Sequence, residues 1–390
     1  MRVVYLCADL GIPLGGTKGA AVHVRSVIRA LAAQGHELVV LTAAVGETPS
    51  LKVPVIPIRG SDLAGEIAGG PDPRTARALA HLWNNVAAEA TLREVATWFR
   101  PELIYERYAP FGAAGSLVAR RLGIPHVLEV NAPLAWEGER YRRQALAEAA
   151  QTLEGAAFAT TSRIVAVSAE LKAILVSQGV SSSKIDVVPN GVDVELFDPT
   201  GDAWTGAGSG QIVVGFVGSL KPWHGIKLLV ESFRSAAAAR PDLHLLVVGD
   251  GPEARHVDAL AAELVGRVTR VAGVPHAEVP RYLRGMAVAV APYMPLERFY
   301  YSPLKVLEYM AAGRAVVASG LGQVTALLCH EETALLVPPG DACALTEALL
   351  RLADDPELRG RLGAAARREA GRHGWESRAM DILAVVRAAA

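Results

Sequence analysis

The sequence predicts an α/β protein built on two open parallel sheets. Two observations carry this. Short apolar runs such as Val3–Ala8 and Glu37–Thr42 alternate with an amphipathic helical stretch, Ala20–Gln34, which is the βαβ pattern of a parallel sheet. The pattern then restarts. Ile212–Val217 is followed by the loop Gly218-Ser219-Leu220-Lys221-Pro222-Trp223-His224-Gly225 and the helix Ile226–Ala238. A chain of 390 residues has room for two domains of ordinary size.

In the first half, the loop Asp9–Gly19 places Gly15-Gly16-Thr17-Lys18-Gly19 at the carboxyl edge of the sheet, where ligands bind in such folds. Gly16 and Lys18 are the candidate contacts there, although the run is neither GxGxxG nor a Walker loop. Pro54–Ile58 reads as a strand, Gly60–Pro73 as a mobile surface loop rich in glycine and proline, and Arg74–Phe99 as a helix. Two further strands, Leu103–Tyr105 and Ile124–Val130, end in Glu106-Arg107-Tyr108 and Asn131-Ala132-Pro133. Polar groups at such strand ends need a ligand or a tight network. Glu106, Arg107, Glu129 and Asn131 are therefore candidate ligand contacts, whereas His126, inside its strand, reads as a packed core histidine. Glu137–Gly155 reads as one charged helix whose Arg140, Arg142 and Arg143 form a solvated face or, alternatively, meet an anionic ligand. Arg163–Val167 is a strand, Ser168 the cap of the helix Ala169–Gln178, Asn190-Gly191 a turn, and Thr200–Gly210 a linker or exposed loop.

In the second half, Leu243–Val248 ends in Gly249-Asp250-Gly251-Pro252. Val268–Ala272 leads through Gly273-Val274-Pro275-His276 to the helix Val279–Arg284, and Val288–Ala291 is the next strand. The stretch Phe299–Ser319 then reads as loop, helix and strand. Pro303 suits the first helical position, Leu304, Leu307, Met310 and Ala311 share a face, and Gly313 is a left-handed stop before the buried strand Ala315–Ala318. The start of this helix offers free N–H groups and the positive end of its dipole to an anion such as a diphosphate. Tyr300, Ser302, Leu304 and Lys305 surround that start and are candidate contacts. Glu308 can accept two hydrogen bonds from a vicinal diol such as a ribose. Lys221 and His224, in the glycine-bounded loop with Gly218 and Ser219, can neutralise a leaving diphosphate. In that role His224 must be protonated or act as a neutral donor, which predicts a pH-sensitive protein. Gly322-Gln323-Val324 reads as a short loop, and the last helix runs over Trp375–Ala389.

The run Glu308-Tyr309-Met310-Ala311-Ala312-Gly313-Arg314-Ala315-Val316-Val317-Ala318 closely resembles the second half of the nucleotide-sugar signature of the retaining family 4 glycosyltransferases. Pro189-Asn190-Gly191-Val192-Asp193 and the Gly218–Gly225 loop resemble the same family. The resemblance implies the GT-B fold, two Rossmann-like domains facing each other across a cleft. Residues 1–190 would be the acceptor side, 191–374 the donor side, and 375–390 a helix returning to the first domain. It implies transfer of a sugar from a UDP-, GDP- or similar donor to a small-molecule or glycan hydroxyl, with retention. No metal and no cofactor would be needed, the departing phosphate itself assisting the acceptor. Glu308 would hold the ribose, the backbone at Val274 would meet the base, and Lys221, His224, Glu106, Arg107 and Asn131 would serve the reaction. The chain also departs from the pattern. Tyr300 replaces the first glutamate, Ser219 an arginine and His224 a lysine, with Lys221 and Lys305 as replacement charges; the usual histidines near Arg107 and Asn131 are absent.

A formal net charge of −1 argues against nucleic acid and against more than peripheral membrane attachment. No apolar run is long enough to span a bilayer, and the N-terminus lacks a signal-peptide layout. Cys7, Cys329 and Cys343 are too widely spaced for a zinc or redox pair and fit a reducing cytoplasm. Three rivals remain. A nicotinamide dehydrogenase would want GxGxxG after the first strand; a catalytically silent nucleotide-binding protein, or a pseudo-glycosyltransferase joining a cyclitol donor, would tolerate Tyr300 and Ser219.

Overall fold

The computed structural model describes residues 1–46 and 51–389. Residue 390 and the Arg142 side chain lie outside the described residues. The chain divides into two compact units, Met1–Asn190 with Tyr300–Ser302 and Trp375–Ala390, and Gly191–Phe299 with Pro303–Gly374.

The first unit holds β1 (Arg2–Cys7), α1 (Gly19–Ala33), β2 (Glu37–Thr42), β3 (Val55–Pro57), α2 (Ser61–Ala68), α3 (Pro73–Phe99) and β4 (Leu103–Arg107). α4 (Ala114–Leu122), β5 (His126–Val130), α5 (Leu134–Arg142), α6 (Ala147–Thr160), β6 (Arg163–Ala166), α7 (Ala169–Ser177) and β7 (Ile185–Val187) follow. The seven strands pair in parallel in the order β3-β2-β1-β4-β5-β6-β7, so the strand order reverses between β1 and β4. Alternate side chains feed two cores. Val3, Tyr5, Leu103, Tyr105 and Val127 pack under α1 and the chain's last helix, Trp375–Ala389. Val4, Leu6 and Ile104 pack under α3 and α4.

Three local expectations are corrected. Gly60–Pro73 is not a loop throughout, because it contains α2. Gly60 takes a left-handed conformation (φ 86°), its carbonyl accepts from Trp83 Nε1 at 2.9 Å, and Ala64 is wholly buried as α2 packs on α3. The charged helix from Glu137 is two helices. Arg143 and Leu146 are left-handed (φ 45° and 58°), and the chain reverses so that buried Glu154 on α6 accepts the Ala135 N–H of α5 at 3.1 Å. β4 runs on to Arg107, which places Glu106 and Arg107 inside the strand rather than beyond it.

The second unit holds β8 (Ile212–Val217), α8 (Ile226–Ala239), β9 (Leu243–Val248), α9 (Ala254–Glu263), β10 (Val268–Val271), α10 (Val279–Arg284), β11 (Val288–Ala291) and α11 (Leu304–Ala311). It continues with β12 (Ala315–Ser319), α12 (Gln323–Leu327), β13 (Leu335–Val337), α13 (Ala342–Asp354) and α14 (Pro356–Ala370), before α15 (Trp375–Ala389) rejoins the first unit. Six parallel strands run β10-β9-β8-β11-β12-β13, with the reversal between β8 and β11. Gln323 and Val324 open a short helix where a loop was expected. Thr200–Gly210 has no helix or strand.

Candidate functional site

At the carboxyl edge of the second sheet, the start of α11 is fixed by three residues. Gly313 (φ 65°) ends the helix and lets the chain turn into β12. Tyr309 ties the helix to β8: its hydroxyl accepts from the Val217 N–H at 2.8 Å and donates to the Val217 carbonyl at 3.2 Å. Pro303 caps the helix from just outside it (φ −82°, ψ 87°) rather than occupying its first turn. Its carbonyl takes the N–H groups of Val306 and Leu307, and among the described residues the amides of Leu304 and Lys305 at the helix mouth have no backbone partner.

Lys305 is the unusual group here. The residue as a whole is part-buried, but its Nζ is sealed from solvent and has no hydrogen-bond partner among the described residues. It lies 4.1 Å from the Phe216 ring centroid and 5.7 Å from that of Tyr293. Burial pushes its pKa from 10.5 down to about 7, partly offset by the Glu308 carboxylate. Gly218 makes room for it: a Cβ there would stand 2.9 Å from Nζ, and the φ of 139° belongs to glycine. Gly225 is needed for a second close approach, since its Cβ would collide with the Pro292 carbonyl at 1.6 Å.

His224 lies beside this lysine, between the Ser219 carbonyl and the Tyr293 ring. Burial, then the Lys305 charge, drives its pKa to about 3 against the pull of the Ser219 carbonyl. Its Nδ1–H donates to Ser219 O at 2.5 Å, so Nε2 carries no proton. Burial and the bond to Ser219 thus favour a neutral His224 over a protonated one in the free protein. The buried basic group beside it is Lys305, packed on the Phe216 and Tyr293 rings. Lys221, half-buried, caps the 3₁₀ turn Pro222–His224 that carries this histidine.

Glu308, one turn along α11, has a largely covered side chain (13% exposed) and accepts from His276 Nε2 at 2.8 Å. His276 follows Gly273-Val274-Pro275, whose first amide donates to Asp250 Oδ2 at 2.8 Å. The Val274 segment expected at the base is thus anchored at both ends. Among the described residues, no group of three or more His, Cys, Asp or Glu side chains is arranged to hold a metal ion.

In the first unit the glycine run is stapled by Arg25, whose Nη1 donates to the carbonyls of Leu14 and Gly16, both at 2.7 Å. Gly16 is needed because a Cβ would press the Pro13 carbonyl at 2.9 Å. Lys18 is exposed at the mouth of α1. Asn131 follows β5 with its Oδ1 buried and unpaired.

Five of the expected contacts, Arg107, Glu129, Glu106, Tyr300 and Ser302, already hydrogen-bond within the protein, although Glu106 Oε1 has no partner among the described residues. Arg107 Nη1 donates to Glu129 Oε1 at 3.0 Å, and Glu129 also receives His23 at 2.6 Å and Tyr105 at 2.7 Å. Glu106 points to the opposite face of the sheet, where His126 Nε2 meets its Oε2 at 3.0 Å, and both side chains are 1% exposed. A Cβ at Gly115 would come within 2.2 Å of that carboxylate, which explains the glycine. Tyr300 is buried in the first unit, its hydroxyl bonded to Glu137 and its carbonyl accepting from Ser168 Oγ at 2.8 Å. Ser302 accepts from Asn190 N and, through its carbonyl, from Asn190 Nδ2, both at 3.0 Å. Sequence reasoning missed His276, Asp250 and Tyr309 as supports of the site. The only available signal was that each sits at or next to a strand-end glycine loop or on the signature helix.

No helix among the described residues is long and apolar enough to cross a membrane. The family models for glycosyltransferase family 4 and for group 1 glycosyl transferases match residues 17–196 and 211–355. The D-inositol 3-phosphate glycosyltransferase of Kineococcus radiotolerans is 30% identical, the alignment covering 96% of this chain and 91% of that protein. Among solved structures, sucrose-phosphate synthase from Thermosynechococcus elongatus superposes with a TM-score of 0.74 at 25% identity, covering 100% of this chain and 98% of that one. HepE from Anabaena, solved in complex with UDP-glucose, gives 0.72 at 17% over the whole of both chains. The buried lysine, the helix mouth and the Glu308 carboxylate thus stand on a GT-B fold, and the chain belongs to the family 4, group 1 glycosyltransferases.

Proposed function

We propose that this glycosyltransferase moves a sugar from a nucleoside diphosphate sugar to an acceptor hydroxyl with retention of configuration and without a metal ion. The observation that carries the reading is Lys305. A sealed ammonium with no hydrogen-bond partner, at the mouth of a helix, is costly unless an anion completes it. The diphosphate is that anion, held by Lys305, by the amides of Leu304 and Lys305, and by Lys221 at the rim. Glu308 accepts the ribose hydroxyls, and the Gly273–Val274 backbone meets the base. The sugar's C1–O bond to the diphosphate breaks as the C1–O bond to the acceptor forms on the same face. The acceptor proton passes to the departing phosphate oxygen. Positive charge already in place lowers the barrier because it faces the charge that develops there.

Two findings narrow what to test. HepE binds UDP-glucose, which makes UDP sugars the first donors to try. The Kineococcus relative acts, by its name, on D-inositol 3-phosphate, which makes a cyclitol phosphate the first acceptor. Asn131 and Lys18 are the acceptor-side residues we assign. We place the protein in the cytoplasm.

The test is calorimetric titration with UDP, GDP, ADP and dTDP in EDTA, followed by transfer from the matching sugar nucleotides and NMR of the product anomer. Micromolar binding of one diphosphate without metal, and a product with the donor's anomeric configuration, are expected. If none of the four binds, the donor site is wrong and a catalytically silent protein becomes the better account.

A further inference from the structure

We propose that His276 is a positioning residue that makes base and ribose recognition a single unit; this rests on the reading of Glu308 as the ribose acceptor. The argument starts from hydrogen-bond capacity. A carboxylate can only accept, so the 2.8 Å contact requires the His276 proton to sit on Nε2. That bond occupies Glu308 Oε1. The second oxygen has no hydrogen-bond partner among the described residues and is the one left for a diol. A free glutamate on a helix surface samples several rotamers; one pinned through Oε1 presents Oε2 in a fixed direction.

The imidazole is itself held in place. The ring of Phe197, 1% exposed, meets it edge-on with centroids 5.4 Å apart and planes at 65°. The backbone leading to His276 is fixed at its other end, where Asp250 takes the Gly273 amide through Oδ2 and Arg270 Nη1 through Oδ1 at 3.0 Å. Pro275 adds a fixed φ between the two anchors. The Gly273–His276 segment therefore spans from the end of β9 to the carboxylate of α11. Any shift of the base-side backbone is transmitted to the group that reads the ribose.

The experiment compares UDP with 2′-deoxy- and 3′-deoxy-UDP by calorimetry on the full chain. If GDP proves the tighter diphosphate, the guanosine series replaces them. The protein is tested as wild type, His276→Phe, His276→Gln, Glu308→Ala and the double variant His276→Phe/Glu308→Ala, with melting curves to confirm folding. Wild type should prefer the intact ribose by at least about tenfold, the worth of one charge-assisted hydrogen bond. His276→Phe should lose most of that preference while binding the deoxy analogues almost as before. Glutamine, which can still donate, should restore it. In the double variant the histidine change should add nothing to the loss from Glu308→Ala, because the two act as one unit. Should His276→Phe keep the wild-type preference while Glu308→Ala loses it, His276 does not position the carboxylate. Should Glu308→Ala keep it too, the ribose assignment falls, and this proposal falls with it.

Discussion

In the first unit Glu129 is sealed, yet His23, Arg107 and Tyr105 all answer its charge. In the second unit Lys305 is sealed, and nothing hydrogen-bonds its Nζ. Burial alone would raise the Glu129 pKa, but His23 and Arg107 outweigh it and hold the carboxyl at about 2. Burial alone dominates Lys305 and brings it to about 7. Both groups pay desolvation, and only one is compensated by the protein itself. A buried charge with a full set of partners is part of the scaffold, whereas the one without them, Lys305, is where we propose the diphosphate sits. That contrast separates Arg107, which the sequence offered as a reaction residue, from Lys305, which it offered only as an extra charge.

The largest expected effect tests the uncompensated side. Lys305→Met should slow transfer by about 10²–10³-fold, the usual cost of losing one preorganised charge at a developing anion. The same change should stabilise the free protein by a few kcal/mol near neutral pH, since it removes an unpaired buried charge. The sign of the pH dependence follows from the lowered folded-state value. Between about 7 and 10.5 the unfolded chain binds a proton that the folded chain does not, so stability should rise with pH across that window. Below about 7 both states are protonated and the contribution is flat. Denaturation at several pH values should show this slope in wild type and lose it in Lys305→Met. Binding a diphosphate should reverse the ionisation, so titrations at pH 8 in buffers of different ionisation enthalpy should report proton uptake in wild type only. An unchanged transfer rate in a folded Lys305→Met would break the comparison.

Arg107→Met should do the opposite. Removing one partner of a buried pair costs about 3–5 kcal/mol, so the melting temperature should fall sharply. Activity per folded molecule should stay within about threefold, because no ligand contact is lost. The depressed Glu129 carboxyl adds a signature. Its stabilisation is present above the unfolded value of 4.5 and is lost as pH falls towards about 2, and the variant should lose stability at higher pH than wild type. A stable Arg107→Met with activity reduced a hundredfold would return Arg107 to the reaction.

How legible the molecule was in its sequence follows the same physics. Strands such as Glu37–Thr42, Ile212–Val217 and Val288–Ala291 were readable to the residue, because short apolar runs of strand length fit the buried strands of a parallel sheet. The signature helix was readable because its face, its stop at Gly313 and its mouth are all local features. The α2 helix was not, since its stability comes from Ala64 docking on α3 rather than from its glycine-rich ends. Nor was the fate of Glu106, Arg107 and Tyr300. A polar residue near a strand end looks the same whether its partner is a ligand or a residue from another element. Glu129 lies 22 positions from Arg107, and Glu137 lies 163 from Tyr300. The role of His276 was hidden for that reason too, since Glu308 is 32 positions away.

His224 gives the smallest and most discriminating prediction, because it stands beside Lys305 but is already neutral. At pH 7 no charge is lost in His224→Gln, and glutamine keeps a donor for the Ser219 carbonyl; transfer should change by less than about threefold. The effect should appear only in acid. The unfolded histidine takes up a proton near 6.5, while the folded one resists until about 3, so wild type should lose stability as pH falls through that window. His224→Gln should remove this part of the slope and leave the alkaline slope from Lys305 untouched. Denaturation curves from pH 3 to 10 on the two single variants and their combination would separate the two windows. If transfer by wild type instead shows an inflection near pH 6.5 that disappears in His224→Gln, the imidazole carries the working charge. Lys305 would then be the group that keeps it from doing so in the free protein.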